Sequence, residues 1–267
     1  MAGAAKDPEL RPSEKIPRAA LVTGGAKRLG RAIASMLAAE GWAVAIHCNA
    51  SREEADALAG QIRAGGGKAE VLTADLGREA EVLTLVSRAV AALGPLGCLV
   101  NNASVFERDE ALDATRESWD RHMEANLRAP FVLMQEFARA LPAGADGVIV
   151  NLTDERVWSL TPHFVSYTLS KAGLWTLTQT MALALAPRIR VNAVGPGPAL
   201  PSPRQSQEQF DRQCAAMPLK RGTSPDEIAE AVRFILGASA MTGQMIALDG
   251  GQHLGWAQPA DNSPPEE

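Results

Sequence analysis

The sequence contains little cysteine, and its cysteines are widely spaced. Only three of the 267 residues are cysteines: Cys48, Cys98 and Cys214. Their odd number and isolation argue against a disulfide framework and against a CxxC metal site. The four histidines lack metal-ligand spacing, so no metal site is predicted. Unpaired cysteines are typical of a reducing compartment, and we expect a cytoplasmic protein.

Long apolar runs and an excess of basic residues are also lacking. No apolar run reaches the roughly 18 residues of a membrane-spanning helix, so no membrane association is predicted. The net charge is −5. This argues against nucleic acid as the main partner, because phosphate binding needs a basic face.

Apolar residues nevertheless make up 46% of the chain, enough for a large core. We assign residues 18–256 to one folded domain. Residues 1–17 lack the apolar segment of a secretory signal and are predicted to be a flexible tail. The Pro-rich, acidic residues 257–267 are predicted to be a second flexible tail.

Short apolar runs alternate with helical patterns between these tails. Strands are predicted at 19–23, 43–47, 69–73, 98–101, 148–152, 190–193 and 245–248. The first helix carries Leu29, Ile33, Met36 and Leu37 on one face, and further helices are predicted at 52–64, 79–93, 116–141, 163–186, 205–216 and 225–236. This alternation predicts an α/β fold: a single-domain, Rossmann-type, doubly wound parallel sheet with helices on both faces.

A glycine-rich turn follows the first predicted strand and opens the first helix. Glycines allow a tight turn and close approach to a pyrophosphate, and the helix N-terminus supplies free N–H groups. The position of the turn indicates dinucleotide binding over an ordinary strand-to-helix turn. The loop residues assigned to the cofactor are Gly24, Lys27, Arg28, Leu29 and Gly30.

The end of the second strand predicts which nicotinamide cofactor fits. An acidic residue there would bind the ribose 2′-hydroxyl and repel a 2′-phosphate, but the first acid is Glu53. The residues assigned to the adenosine side are His47, Asn49, Ser51 and Arg52. NADPH is therefore favoured over NADH, although Arg52 also fits a solvated charge at a helix start.

The chemical centre is predicted from Tyr167 and Lys171, which share one helix face at a spacing of four residues. Tyr167 is the only tyrosine in the chain. A nearby ammonium favours tyrosinate, which makes the phenol a usable proton donor at neutral pH.

Together these motifs resemble the short-chain dehydrogenase/reductase family over residues 18–254. The resemblance adds Asp75 and Leu76 near the adenine, Asn102, Ala103 and Ser104 along the cofactor, Pro196 and Gly197 beside it, and Asn126 holding a proton-relay water. It also implies that Lys171 holds the nicotinamide ribose. A homo-oligomer, commonly a tetramer, is implied as well.

The chain departs from the family pattern at one catalytic position. The family usually has serine thirteen residues before the tyrosine, and here that residue is Asp154. An ionised carboxylate cannot donate a hydrogen bond to a ketone oxygen and would repel developing alkoxide charge. It can accept from an N–H or help pass a proton to a ring nitrogen, so a nitrogen heterocycle is the predicted substrate.

This substitution resembles the pteridine reductase branch, as do the loop at 27–30, His47 and residues 102–106. The resemblance implies that Arg28 contacts cofactor and pterin and that Ser104 bonds the pterin. It also implies that Phe106 stacks the pterin against the nicotinamide. Phe106 also fits a core aromatic under a loop. Ala50 stands where the branch would have a basic residue for the 2′-phosphate.

The sequence therefore predicts an NADPH-dependent reductase of a pterin-type substrate. Two alternatives stay open. One is a ketone reductase of the same family with an unusual aspartate, and the other is a non-catalytic NADP-binding sensor. The Pro-, Ser- and Gln-rich segment 198–220 fits either a substrate lid or an ordinary loop.

Overall fold

A seven-stranded parallel sheet forms the centre of the molecule. The computed structural model describes residues 11–202 and 204–255. The strands are β1 Ala19–Val22, β2 Ala43–Cys48, β3 Ala69–Thr73, β4 Cys98–Asn101, β5 Gly147–Leu152, β6 Ile189–Pro196 and β7 Met245–Leu248. Their order is β3-β2-β1-β4-β5-β6-β7, with every neighbouring pair parallel. The predicted doubly wound sheet is confirmed.

Helices cover both faces of this sheet. They are α1 Arg28–Ala39, α2 Arg52–Ala64, α3 Glu79–Leu93, α4 Arg116–Met123, α5 Ala129–Ala140, α6 Val165–Leu185, α7 Gln207–Ala216 and α8 Pro225–Gly237. Alternate strand residues enter opposite core layers: Ala20 and Val22 lie in one cluster with Ile33, and Leu21 lies in the other with Leu85. Such two-sided burial explains the apolar runs within the strands, such as residues 148–150 in β5.

The long helix predicted over 116–141 is interrupted. A π-helical segment, Glu124–Arg128, joins α4 to α5. Single π turns inside α-helices often lie at functional sites, and this one carries the predicted site residue Asn126. The helix predicted from 163 begins instead at Val165, because Phe164 adopts a left-handed backbone with φ 56°.

The packed part of the chain begins earlier than the predicted boundary at residue 18. Ile16 is buried in the core, and the backbone N–H of Asp146 donates to the carbonyl of Lys15 at 3.1 Å. Ile16, which was predicted to lie in a flexible tail, therefore adds buried apolar area to the core. Residues 1–10 and the predicted tail at 257–267 lie outside the described residues.

The carboxyl ends of the central strands position the site. Thr23, Asn102, Thr153 and Gly197 follow the ends of β1, β4 and β5 and of β6, all at one edge of the parallel sheet. Ligands of open α/β sheets bind at this edge, where the strand order reverses. Across residues 11–202 and 204–255, no helix has the length and apolar character needed to cross a membrane.

Candidate active site

The glycine loop after β1 allows a close approach to a phosphate. Gly24 has φ +59°, a left-handed conformation that favours glycine. A Cβ on Gly30 would lie 2.1 Å from the Gly24 carbonyl oxygen and 2.5 Å from Nδ2 of Asn102. Neither position tolerates a side chain without a shift of the backbone. Both glycines predicted for the cofactor loop therefore have a local structural reason.

Thr23 joins the glycine loop to the loop after β4. Its Oγ1 accepts from the backbone N–H groups of Asn102 at 2.9 Å and Ala103 at 3.0 Å. The side chain of Asn102 returns the connection, because Nδ2 donates to the carbonyls of Thr23 at 2.8 Å and Gly24 at 3.1 Å. These hydrogen bonds fix the distance between the loops after β1 and β4, both of which were predicted to contact the cofactor. The role of Thr23 was not predicted from the sequence.

The start of α1 fits an anion. Its N-cap, Lys27, makes no side-chain capping bond, so the first N–H groups of the helix can bond a pyrophosphate together with the helix dipole. Lys27 itself lies 2.6 Å from a carboxylate oxygen of Glu54 on the exposed surface. Arg28 has φ 50°, an uncommon conformation for a non-glycine residue that is often seen at functional sites.

The structure changes the role of His47, which was predicted to touch the cofactor. Its ring is buried: Nδ1 accepts from the N–H of Gly24 at 3.1 Å, and Nε2 lies 3.0 Å from the carbonyl of Ala74. These partners place the proton on Nε2, and burial lowers the pKa of His47. His47 thus braces the glycine loop from behind, since both ring nitrogens are already used inside the protein.

Polar groups surround the end of β2 as predicted for the adenosine side. Asn49 and Arg52 are exposed, and Ser51 is half-buried. The guanidinium of Arg52 contacts Asp56 at 2.8 Å and Oγ1 of Thr73 at 3.4 Å. No acidic residue precedes Glu53 here, which suits a 2′-phosphate.

Two predicted adenine-side residues follow β3. The Oδ1 of Asp75 accepts from the N–H of Gly77 at 2.9 Å, and Leu76 is buried. Their contact with the adenine stays a prediction.

The hydroxyl of Tyr167 bonds to the unusual aspartate. Its Oη donates to Oδ2 of Asp154 at 2.5 Å, and Oδ1 of the same carboxylate accepts from the N–H of Arg156 at 2.9 Å. Asp154 therefore caps the short turn Glu155–Val157 while it faces the phenol. Residues thirteen positions apart in the sequence are brought into direct contact, because one follows β5 and the other lies on α6.

Lys171 lies below this pair. Its Nζ donates to the carbonyl of Leu152 at 2.7 Å and lies 5.8 Å from the centroid of the Tyr167 ring. Burial lowers its pKa to about 8, and the nearby Asp154 opposes this shift. The ammonium is fixed by a backbone carbonyl at the end of β5, so its position beside the phenol is independent of flexible side chains.

Asn126 lies on the π segment and holds the loop after β4. Its Nδ2 donates to the carbonyl of Val105 at 2.9 Å and to Oγ of Ser170 at 3.1 Å, and its Oδ1 accepts from the N–H of Val105 at 2.8 Å. These two hydrogen bonds to the backbone of Val105 fix the position of its neighbours, Ser104 and Phe106. The water-holding role stays a prediction.

Phe106 forms an aromatic wall beside the phenol. Its ring stacks on Phe164 with centroids 4.7 Å apart and 9° between planes, and meets Tyr167 edge-on at 4.6 Å. The guanidinium carbons of Arg156 and Arg204 lie 5.4 and 5.5 Å from its centroid. The stack on Phe164 was not predicted, because the two residues are far apart in sequence.

The cleft has a second wall. It comes from the segment that the sequence identified only as a lid or an ordinary loop. Residues of 198–213 line it, and the guanidinium of Arg28 donates to the carbonyls of Pro201 at 2.9 Å and Leu200 at 3.2 Å. The cleft-lining residues from this wall are Pro198, Ala199, Leu200, Ser202, Gln205, Phe210 and Gln213. The wall lines the same cleft as Tyr167, and its action as a lid stays a prediction.

The cleft brings ten of the 21 predicted site residues together. Predicted residues that line it are Arg28, Leu29, Asn102, Ser104, Phe106, Asp154, Tyr167, Lys171, Pro196 and Gly197. Two buried charged residues, Glu155 and Arg156, also line it and were missed. These two residues could have been identified from their position directly after a strand, at the carboxyl edge of the sheet. No cluster of three or more metal-ligating side chains occurs within 11–202 and 204–255.

Replacing Phe106 tests whether the aromatic wall binds substrate. Phe106→Ala should raise KM for a dihydropterin at least about fivefold, the equivalent of a stacking contribution of roughly 1 kcal/mol. NADPH affinity should barely change. Steady-state kinetics with cofactor titration provide the measurement.

Phe106→Leu is the matched control, because leucine keeps apolar bulk against Phe164 without a π face. A KM increase in the alanine variant alone, or a collapse of thermal stability in both variants, would assign Phe106 to packing instead.

Comparison with known proteins supplies the family. A family model described as Enoyl-(Acyl carrier protein) reductase matches residues 24–253. The short-chain dehydrogenase/reductase eriH of Hericium erinaceus is 33% identical, over 87% of this chain and 96% of that protein. The chain belongs to the short-chain dehydrogenase/reductase family. It is therefore an oxidoreductase, and the family resemblance is confirmed.

Two further relatives differ in the substrates that their names imply. The FolM alternative dihydrofolate reductase 1 of Brucella canis, solved with NADP, is 48% identical, with a TM-score of 0.89 over 93% of this chain and all of that one. The 3-oxoacyl-acyl-carrier-protein reductase FabG of Staphylococcus epidermidis is 32% identical over 89% of this chain and 99% of that protein. The first relative supports the predicted relation to pteridine reductases.

Proposed function

We propose that this protein reduces a C=N bond of a dihydropterin-type substrate with NADPH. The observation that carries the proposal is the 2.5 Å hydrogen bond from Tyr167 to Asp154. A serine hydroxyl in place of Asp154 would offer a donor to a carbonyl oxygen. The carboxylate offers an acceptor, which suits a ring that carries N–H groups and must gain a proton on nitrogen.

The predicted cofactor, NADPH or NADP+, is confirmed by the relationship to enzymes solved with it. The residues of this chain fit such a group, because the α1 N-terminus lacks a side-chain cap, and Gly24 and Gly30 allow the tight turn that precedes it. When bound, NADPH supplies the hydride. Lys171, fixed by the carbonyl of Leu152, would hold the nicotinamide ribose.

The proton follows a short route through this chain. Hydride addition to the carbon of a C=N bond leaves the nitrogen to be protonated, and the phenol of Tyr167 donates that proton directly or through Asp154. Lys171 stabilises the negative charge left on the phenol oxygen. The two acidic groups titrate as a coupled pair, since they share one hydrogen bond.

The remaining cleft residues fit a flat heterocycle. Phe106 offers an aromatic surface beside Tyr167, Ser104 offers a hydroxyl at the cleft wall, and Arg28 offers a guanidinium. The FolM relatives carry the name of a dihydrofolate reductase and are 48% and 50% identical to this chain. A pterin ring is the part that dihydrofolate shares with other dihydropterins, so this similarity supports the ring and leaves its side chain open.

Ketone reduction is the second candidate, favoured by the similarity to FabG reductases at 32% identity. The same fold and the same Tyr167 and Lys171 would serve it. Asp154 opposes it, because an ionised carboxylate would face the oxygen that gains negative charge.

A substrate panel tests the proposal. The oxidation of NADPH is followed with a dihydropterin, dihydrofolate, an activated ketone and a 3-oxoacyl thioester. We expect the highest kcat/KM with one of the two pterins. A parent enzyme that reduces ketones far better than any pterin would contradict the proposal, and binding of NADPH without turnover of any substrate would favour a sensor.

The same assay with NADH serves as the cofactor control. NADPH should be preferred by at least about tenfold, which corresponds to roughly 1.4 kcal/mol for one charge-assisted contact to the 2′-phosphate. We also propose that the protein is a cytoplasmic homo-oligomer. Light scattering should give the mass of a tetramer.

A further inference from the structure

A buried polar network outside the proton route connects the loop that carries Phe106 to the helix that carries Tyr167. His122 of α4 is fully buried, and its ring meets that of Tyr167 edge-on with centroids 6.0 Å apart. Ser166 precedes Tyr167 and is also fully buried, and Asp109 is 5% exposed. Polar groups at such burial cost free energy unless they are hydrogen-bonded, so a network here needs a structural reason.

The partners of His122 assign its protons. Nε2 accepts from the backbone N–H of Glu107 at 3.1 Å, so Nδ1 carries the proton of a neutral ring. Nδ1 lies 3.0 Å from the carbonyl of Ser118 and 2.7 Å from Oγ of Ser166. Desolvation by burial lowers the pKa of His122, in agreement with the neutral form that these partners require.

Asp109 completes the network. Its Oδ2 accepts from the hydroxyls of Ser118, at 2.7 Å, and Ser166, and its Oδ1 accepts from the N–H of Ser166 at 3.2 Å. The carbonyl of Asp109 also accepts from the N–H of Phe164 at 2.9 Å. Every polar atom of the carboxylate faces the start of α6 or the start of α4, so the loop that ends at Asp109 is tied to both helices.

The network therefore joins the neighbours of two cleft residues, Phe106 and Tyr167, whose rings are in contact. One end bonds Glu107, the residue after Phe106. The other end bonds Ser166, the residue before Tyr167. Asn126 holds the same loop at Val105, on the other side of Phe106. The loop is thus fixed on both sides of the aromatic ring, and His122 supplies the bond on the side nearer the phenol.

We propose that His122 is a positioning residue: through Glu107 and Ser166 it fixes the position of Phe106 relative to Tyr167, whose rings meet edge-on in the cleft, and so the fit of a flat substrate against them. The kinetic part of this inference rests on the proposed function. The structural part, order in the loop at 104–110, is independent of the substrate.

The test compares His122→Leu, which removes both hydrogen-bonding nitrogens, with His122→Gln, which keeps an amide able to donate and accept. Loss of the bond to Glu107 should raise KM for a dihydropterin by about tenfold, with a smaller change in kcat and an unchanged Kd for NADPH. Hydrogen–deuterium exchange of the peptide covering 104–110 should accelerate in His122→Leu. His122→Gln should recover much of both values.

Thr178→Val is the matched control. Thr178 is fully buried on the same helix, α6, and its Oγ1 accepts from Asn151 at 2.9 Å, away from the cleft. This variant should lose thermal stability without a change in KM or in exchange at 104–110. If it reproduces the changes of His122→Leu, the effect is general loosening and the proposal is overturned.

Two outcomes separate this inference from the proposed function. If the parent enzyme does not reduce dihydropterins, the proposed function fails and the exchange measurement alone decides the role of His122. If exchange at 104–110 is the same in His122→Leu and the parent, the positioning role is wrong whatever the substrate. Should His122→Leu fail to fold, Ser166→Ala, which removes the hydroxyl between Asp109 and His122, replaces it with the same expected direction.

Discussion

Replacing Asp154 by serine should lower kcat/KM for a dihydropterin by about 10²-fold, the loss typical of a removed proton-transfer partner. The acceptor for the Tyr167 hydroxyl, now 2.5 Å away, is replaced by a shorter hydroxyl group. Activity toward an activated ketone should stay level or rise, because serine can donate to a carbonyl oxygen. The measurement is kcat/KM for both substrates in the parent and the variant.

Stability should change little in this variant, which makes the kinetic result interpretable. Asp154 caps a short turn through the N–H of Arg156, and serine is also a favoured N-cap residue. Asp154→Asn is the matched control, since it keeps the shape of the side chain and removes its charge. A serine variant with full pterin activity would show that the carboxylate is not part of the proton route.

Removing the hydroxyl of Tyr167 should have the largest effect. Tyr167→Phe should reduce kcat for the dihydropterin by about 10²- to 10⁴-fold, the contribution of a positioned general acid. The ring should keep its contacts with Phe106 and His122, so NADPH binding should be retained. Single-turnover kinetics with saturating NADPH isolate the chemical step.

A double variant shows whether the phenol and the carboxylate act as one unit. Groups in direct contact have non-additive effects, so Asp154→Ser combined with Tyr167→Phe should be about as slow as Tyr167→Phe alone. Losses that multiply would mean two independent proton donors. Tyr167→Phe with near-parent turnover would transfer the donor role to another group and reject the proton route proposed above.

Much of the fold was readable from local patterns. Two-sided burial of the parallel sheet gives β1, β4 and β5 short apolar runs, and these mark the strands without tertiary information. Gly24 and Gly30 were readable because their backbone geometry excludes a Cβ. Tyr167 and Lys171 were readable because a helix brings residues four apart onto one face.

Contacts between distant segments could not be predicted in this way. His47 was predicted to face the cofactor, yet the path of β2 turns its ring inward toward Gly24 and Ala74. Phe106 was predicted either to stack on the pterin or to be a core aromatic under a loop, and its stack on Phe164 was not predicted. The π turn that carries Asn126 interrupts a helix whose apolar spacing gave no sign of a break.

The sequence by itself determined the class of fold, the glycine loop after the first strand, the pair formed by Tyr167 and Lys171, and the departure from the family at Asp154. These depend on local backbone geometry or on residue type, and both are written in order along the chain. Only the tertiary structure decided that Asp154 bonds the phenol, that His122 links Glu107 to Ser166, and that residues from 198–202 and 205–213 line the second wall of the cleft. Those arrangements depend on how helices and loops converge at the carboxyl edge of the sheet, and the distances there are set by the packing of the whole core rather than by any one segment.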